Sequence, residues 1–291
     1  MTEYKLNKLN DKKILPPPWI AYPEIERYSI GWRMGYGEGY IGEWGKWYST
    51  LDRETQKEYQ FLFPEPVTWK GYWEDKDTGI YYIKDEYYLQ FWQEKGAYKY
   101  SVETLQRIHN TGKKLNYNMF WGHQPSADGS MNQSCLSQWW MEEFLYENDI
   151  YCCMEQFMMA QKAEVFGDTE IREEIMKCRE PKEIKALGRK VREFDESVWN
   201  KVKYSIVLNG NYRKFSQNLK LREFLLSTGE DILVEASPYD AVWGIRMSAN
   251  NENSQNPMKW QGKNLLGFAL MEVRDEIRRV WENAEFCEMV E

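Results

Sequence analysis

Glu155 and Lys162 lie seven residues apart in YCCMEQFMMAQKA, residues 151 to 163, a stretch made largely of Cys, Met, Phe and Ala. Seven residues make two helical turns, so both charges fall on one face with Met159 between them. Burying a charge among apolar neighbours is costly unless it is paired or neutralised. A carboxyl in such surroundings keeps its proton at neutral pH, and a lysine is pushed toward the neutral amine. Groups so placed could act as a general acid and as an amine nucleophile. The competing reading is an exposed pair. The spacing is too long for a direct i,i+4 bridge, so that reading puts both in solvent on a helix rich in Met and Phe.

Three further polar sets adjoin apolar or glycine-rich structure: KFSQN at 214–218, EASPYDAVWG at 235–244 and GKNLLG at 262–267. Asp240 and Trp243 flank a strand-to-loop transition, where binding residues concentrate. Taken singly each has a plainer reading: Asp240 as a turn cap, Trp243 as core, Asn264 as the cap of the last helix. Only His109 and His123 could serve as a histidine base. From Lys201 to Arg222 there are six basic residues (Lys201, Lys203, Arg213, Lys214, Lys220, Arg222) and no acidic one. That window is either a solvated helix face or a phosphate-binding edge.

The elements that must position these residues are helical from about Ser101 onward. VETLQRIHNTGKK predicts a short helix stopped at Gly112, followed by the irregular loop GHQPSADGSMNQS. EQFMMAQKAEVFG ends at Gly167, DTEIREEIMKC is capped by Asp168 or Thr169, and Pro181 suits the first turn of EPKEIKALG. Asp195 caps ESVWNKVKYSIVL, and RKFSQNLKLREFLLSTG forms a separate segment ending at Gly229. The one clear strand is ILVEAS, and the chain closes on the amphipathic helix NLLGFALMEVRDEIRRVWENA. Residues 1–100 read as an aromatic-rich α+β accessory unit, with strands expected in GIYYIKDEYYLQFW. Within it GEGYIG, Gly37 to Gly42, matches G-x-G-x-x-G without the strand before it or the helix after it that a dinucleotide site needs, and reads as a glycine-rich turn.

The chain of 291 residues is 42% hydrophobic and 29% charged, enough for a large core in one or two domains. A net charge of −8 argues against a protein held on nucleic acid by a basic face. The five cysteines form no CxxC pair, so neither a zinc site nor a disulfide framework is indicated. No segment approaches eighteen uninterrupted apolar residues and the first residues lack a signal-peptide pattern, so the expected location is the cytoplasm, with no membrane partner.

The order of the motifs carries more than any of them alone. MEQFMMAQKA, then KFSQNLKLREFLLSTGEDILVEASPYDAVWGI, then GKNLLGFALMEVR, resembles the NADAR, or YbiA-like, family over about residues 118–278. CLSQWW at 135–140 is similar to the family's serine-asparagine-aromatic element, with Gln138 where asparagine is usual. The loop from Arg246 to Lys259 is longer than in short members. The resemblance implies a mainly α, compact catalytic domain with a small β element over residues 101–291, and an N-glycosidase acting at C1 of a phosphorylated ribose. It implies no metal or organic cofactor. It points to Glu155 and Lys162 as the catalytic pair with Asp240 near the sugar or base. Substrate contacts are expected at Trp139, Gln161, Arg213, Lys214, Asn218, Trp243, Gly244 and Asn264. The expected substrate is ADP-ribose on guanine, with ADP-ribosylated nucleic acid as a partner. The alternatives are a phosphoribosylamino-pyrimidine intermediate of riboflavin synthesis, or a non-enzymatic ADP-ribose or NAD sensor.

Overall fold

The computed structural model of the protein describes residues 14–78 and 99–288. The chain forms two compact units, Met1–Asp85 with Glu276–Glu291, and Glu86–Asp275. The C-terminal residues thus group with the first unit, which a single cut near residue 100 does not anticipate.

The first unit contains α1 (Pro18–Ala21), α2 (Gly31–Met34), α3 (Gly37–Thr50), α4 (Arg53–Leu62) and α5 (Tyr72–Thr78). GEGYIG is the first turns of α3 and not a loop. Tyr40, Trp44 and Tyr48 recur every four residues and are buried, giving the segment an apolar stripe that outweighs the low helix propensity of its glycines. Gly37 is required for packing, since a Cβ there would come within 2.8 Å of the Ile25 and Trp32 side chains. The polar tips of two of the buried rings are satisfied: Trp44 Nε1 donates to the Tyr59 hydroxyl, which donates to Leu15 O. The ends of this unit are tied together, with Glu288 N donating to Ile14 O and Val67 N to Glu276 Oε1. The strands expected in GIYYIKDEYYLQFW lie outside the described residues.

The second unit runs through α6 (Val102–Asn110), β1 (Tyr117–Phe120), β2 (Phe144–Tyr146), β3 (Asp149–Tyr151), α7 (Met154–Val165), α8 (Thr169–Lys177) and α9 (Pro181–Gly188). It continues through α10 (Glu196–Gln217), α11 (Leu219–Ser227), β4 (Ile232–Glu235) and α12 (Leu265–Trp281), the last belonging to this unit as far as Asp275. The fold is mainly α with a small β element. β1 and β4 pair in parallel with Phe120 opposite Glu235, and β2 and β3 form an antiparallel pair. Ser101, Asp168 and Asp195 accept from the first turns of α6, α8 and α10, and Pro181 opens α9. No helix among the described residues is long and apolar enough to cross a membrane.

One expected break is absent. Asn209-Gly210-Asn211 does not end α10, which continues to Gln217 and stops only at Asn218, where the side chain accepts from Leu221 N to cap α11. Gly210 costs helix propensity but lets α7 approach: a Cβ there would lie 2.5 Å from the Phe157 ring.

Candidate active site

In the second unit a cavity of about 530 Å³, within the usual size for small-molecule sites, is lined by α7, α9, α10, the loop before β2 and the segment following β4. α7 contributes Glu155, Met158, Met159 and Lys162, the i, i+3, i+4, i+7 face that the sequence spacing implied. Its other side belongs to the core, where Phe157 packs against Phe144, Tyr146 and Tyr151. The helix is therefore buried over most of its length, and Glu155 and Lys162 open into the cavity.

Glu155 is 2% exposed and sits in the first turn of α7. Trp139 Nε1 donates to its Oε2 at 3.1 Å, while Oε1 is buried and accepts no hydrogen bond. Burial pushes this carboxyl above the usual carboxylate range. Lys185 and the Trp139 hydrogen bond pull it partly back, and the charge of Asp240 adds to the rise. The result is a carboxyl biased toward its protonated form, with one oxygen that accepts no hydrogen bond.

Lys162 is held by a close approach of two helices. Gly188, at the end of α9, has no room for a side chain, since a Cβ would meet Met159 Sδ at 2.0 Å; its carbonyl accepts from Lys162 Nζ at 2.7 Å. The ammonium also lies 4.1 Å from the centroid of the Phe194 ring. Burial lowers the pKa of Lys162, and the nearby charge of Arg189 lowers it further. An amine brought toward neutrality in a lined cavity is a nucleophile.

The third carboxyl is one that the motifs did not single out. Glu235 is the last residue of β4 and lines the cavity, and its Oε2 is buried with no hydrogen-bond partner. Burial first, then the negative charge of Asp240, push it up to about 8, which favours its protonated form at neutral pH. Asp240 closes the turn that follows: its Oδ1 accepts from Val242 N and Trp243 N, both at 2.8 Å. Asp240 and Trp243 both line the cavity.

The expected residues therefore divide. Glu155, Lys162, Asp240, Trp139 and Trp243 meet in one cavity; Gln161, Arg213, Lys214, Asn218, Gly244 and Asn264 are not in its lining. Gly244 and Asn264 support it from behind. Asn264 accepts from Glu235 N and donates to Leu233 O, and a Cβ on Gly244 would lie 2.8 Å from Glu235 O. Asn218 is a helix cap, and Gln161 donates to Glu164 on the helix surface. Arg213 and Lys214 are buried in α10, so they form neither a solvated face nor a phosphate edge. Lys214 Nζ donates to the carbonyls of Cys135 and Ser137. The cations that do line the cavity, beside Lys162, are Lys185, Arg189 and Lys203. Lys203 belongs to the basic window; Lys185 and Arg189 lie on α9 and at its end, where sequence shows only ordinary helix charges.

A family profile described as NADAR domain matches residues 119–278. N-glycosidase R617 of Acanthamoeba polyphaga mimivirus is 46% identical over 146 residues, which is 48% of this chain and 86% of that protein. Protein irg-1 of Caenorhabditis elegans is 36% identical, over 47% of this chain and 64% of that protein. N-glycosidase Npun_R5314 of Nostoc punctiforme is 33% identical, over 50% of this chain and 86% of that protein.

Proposed function

The chain belongs to the NADAR domain family and is an N-glycosidase, and we propose that the bond it cleaves joins guanine to C1 of the distal ribose of ADP-ribose. What carries this reading is one cavity that combines a proton-holding carboxyl, an amine with a lowered pKa and the cationic side chains of Lys185, Arg189 and Lys203. Cations converging on a cavity of this size suit a pyrophosphate.

In this reading Glu155 gives its proton to the guanine nitrogen as the C1–N bond breaks. Lys162, as the neutral amine, forms a bond to C1; the ring oxygen leaves C1 and takes a proton, giving an open-chain imine on Nζ. Glu155, now a carboxylate, accepts a proton from the water that attacks the imine. Collapse of that adduct returns the amine and releases ADP-ribose. Asp240 stabilises positive charge at C1 electrostatically, and the neutral carboxyl of Glu235 donates a hydrogen bond to the sugar.

The test is to incubate the full chain separately with ADP-ribosylated guanine in single-stranded DNA and with a phosphoribosylamino-pyrimidine, following by chromatography the ADP-ribose freed from the first and the ribose phosphate freed from the second. Release from the DNA is expected. Turnover of the pyrimidine alone would sink this substrate assignment.

A further inference from the structure

Two aromatic side chains stand in solvent next to this cavity without a core to serve. Trp121 is 55% exposed and Tyr239 84% exposed, and their ring centroids lie 6.4 Å apart with a tilt of 56° between the planes. Both are placed near cavity residues by the local chain and the strand register. Tyr239 directly precedes Asp240. Trp121 directly follows Phe120, which stands opposite Glu235 in the parallel β1–β4 register. Adjacent strands are about 4.8 Å apart and each residue advances about 3.3 Å, so both rings belong at the carboxyl ends of this strand pair. Ligands bind there in open sheets. Two residues beyond Trp121, His123 packs its ring 5.3 Å from that of Trp139, the indole that donates to Glu155.

We infer that Trp121 and Tyr239 form a stacking platform at the rim of the cavity that receives the guanine from which the reaction removes ADP-ribose. This rests on the N-glycosidase reading above. The tilt leaves a V-shaped opening in which a flat heterocycle stacks on one ring and meets the other edge-on. The choice of the leaving base over the adenine follows from Trp139. The acid must lie beside the leaving nitrogen, and the acid is held by the Trp139 indole, whose ring lies 5.3 Å from that of His123, two residues beyond Trp121. The cationic side chains come instead from α9 and α10. Stacking also suits a base presented on a single strand, because it tolerates any neighbouring sequence and needs none of the basic surface that a chain of net charge −8 lacks.

The experiment uses the full chain and the variants Trp121→Ala and Tyr239→Ala, with thermal unfolding to check that these exposed positions leave the fold unchanged. With a short ADP-ribosylated guanine oligonucleotide, KM should rise about 5- to 150-fold, the range for losing one base–aromatic stack, with kcat changed far less. Inhibition by free ADP-ribose should stay at the parental value. An unchanged KM overturns the platform. A loss of ADP-ribose inhibition equal to the rise in KM overturns the leaving-base assignment in favour of the adenine. If the parent releases no ADP-ribose at all, the substrate reading fails separately. The platform is then judged by fluorescence anisotropy with an unmodified guanine-containing single-stranded pentamer: weaker binding by both variants supports it, and no parental binding or equal binding overturns it.

Discussion

Lys162 on α7 and Lys214 on α10 are both lysines removed from water with lowered pKa values, yet they occupy opposite kinds of place. Lys214 is fully buried and burial brings it down to about 8, but its ammonium donates to the carbonyls of Cys135 and Ser137 and does not line this cavity. Lys162 is half-buried, makes one hydrogen bond to Gly188 O, and faces a cavity that also holds two carboxyls with unoccupied oxygens. A depressed lysine is therefore not by itself a sign of chemistry. What separates the two is access, together with polar atoms left without partners nearby.

The largest expected effect falls on Lys162. Arginine keeps the charge but cannot act as a neutral amine, so Lys162→Arg should lose turnover by at least three orders of magnitude, about the upper part of the range for one catalytic group. Borohydride added during parental turnover should leave a sugar adduct on Lys162, located by peptide mass spectrometry. Near-parental turnover by Lys162→Arg would end the Schiff-base mechanism. Next is Glu155→Gln, expected to lower kcat by about 10²- to 10⁴-fold with ADP-ribose affinity kept. In the parent, the rate should fall as pH rises through the elevated pKa of Glu155, because only the protonated acid can donate.

The smallest effect on catalysis should come from Lys214→Met, which leaves kcat and KM within about twofold while costing about 1–3 kcal/mol of stability in denaturant unfolding, the range for stranding buried acceptors. The pH dependence tests the same residue. Folding disfavours the charged form of Lys214, so between its folded pKa of about 8 and the ordinary lysine value the parent gains stability as pH rises. The gap between parent and Lys214→Met should therefore widen over that interval. A variant that instead loses turnover while folded would place Lys214 in the site and collapse the distinction between the two lysines.

The site was legible where local spacing sets geometry. Glu155 and Lys162 share a face because seven residues are two turns, and Asp240 and Trp243 follow a strand that its own residues specify. Glu235 was not singled out, because inside ILVEAS it reads as an ordinary strand residue; its role depends on which end of β4 meets the cavity, which the distant pairing with β1 decides. Lys185 and Arg189 were hidden for the same reason, their helix being brought to α7 by the missing side chain of Gly188. Arg213 and Lys214 misled because a run of like charges usually marks a solvated surface or a ligand edge, and only tertiary packing shows these two turned inward. In the first unit GEGYIG was misread as a turn because its glycines weigh against helix, while Tyr40, Trp44 and Tyr48 favour it only once there is a core to enter.

The hydrogen bond from Glu288 N to Ile14 O has a consequence for the order of assembly. A chain emerging from the ribosome at about 5–20 residues per second exposes Ile14 tens of seconds before its partner exists. Throughout that interval Trp19, Trp44 and Tyr59, all buried in the finished unit, await the residues that close it, and every motif residue of the cavity has been made before those residues appear. This early segment is thus completed late, and closing the long loop between Ile14 and Glu288 falls on the most aromatic part of the chain.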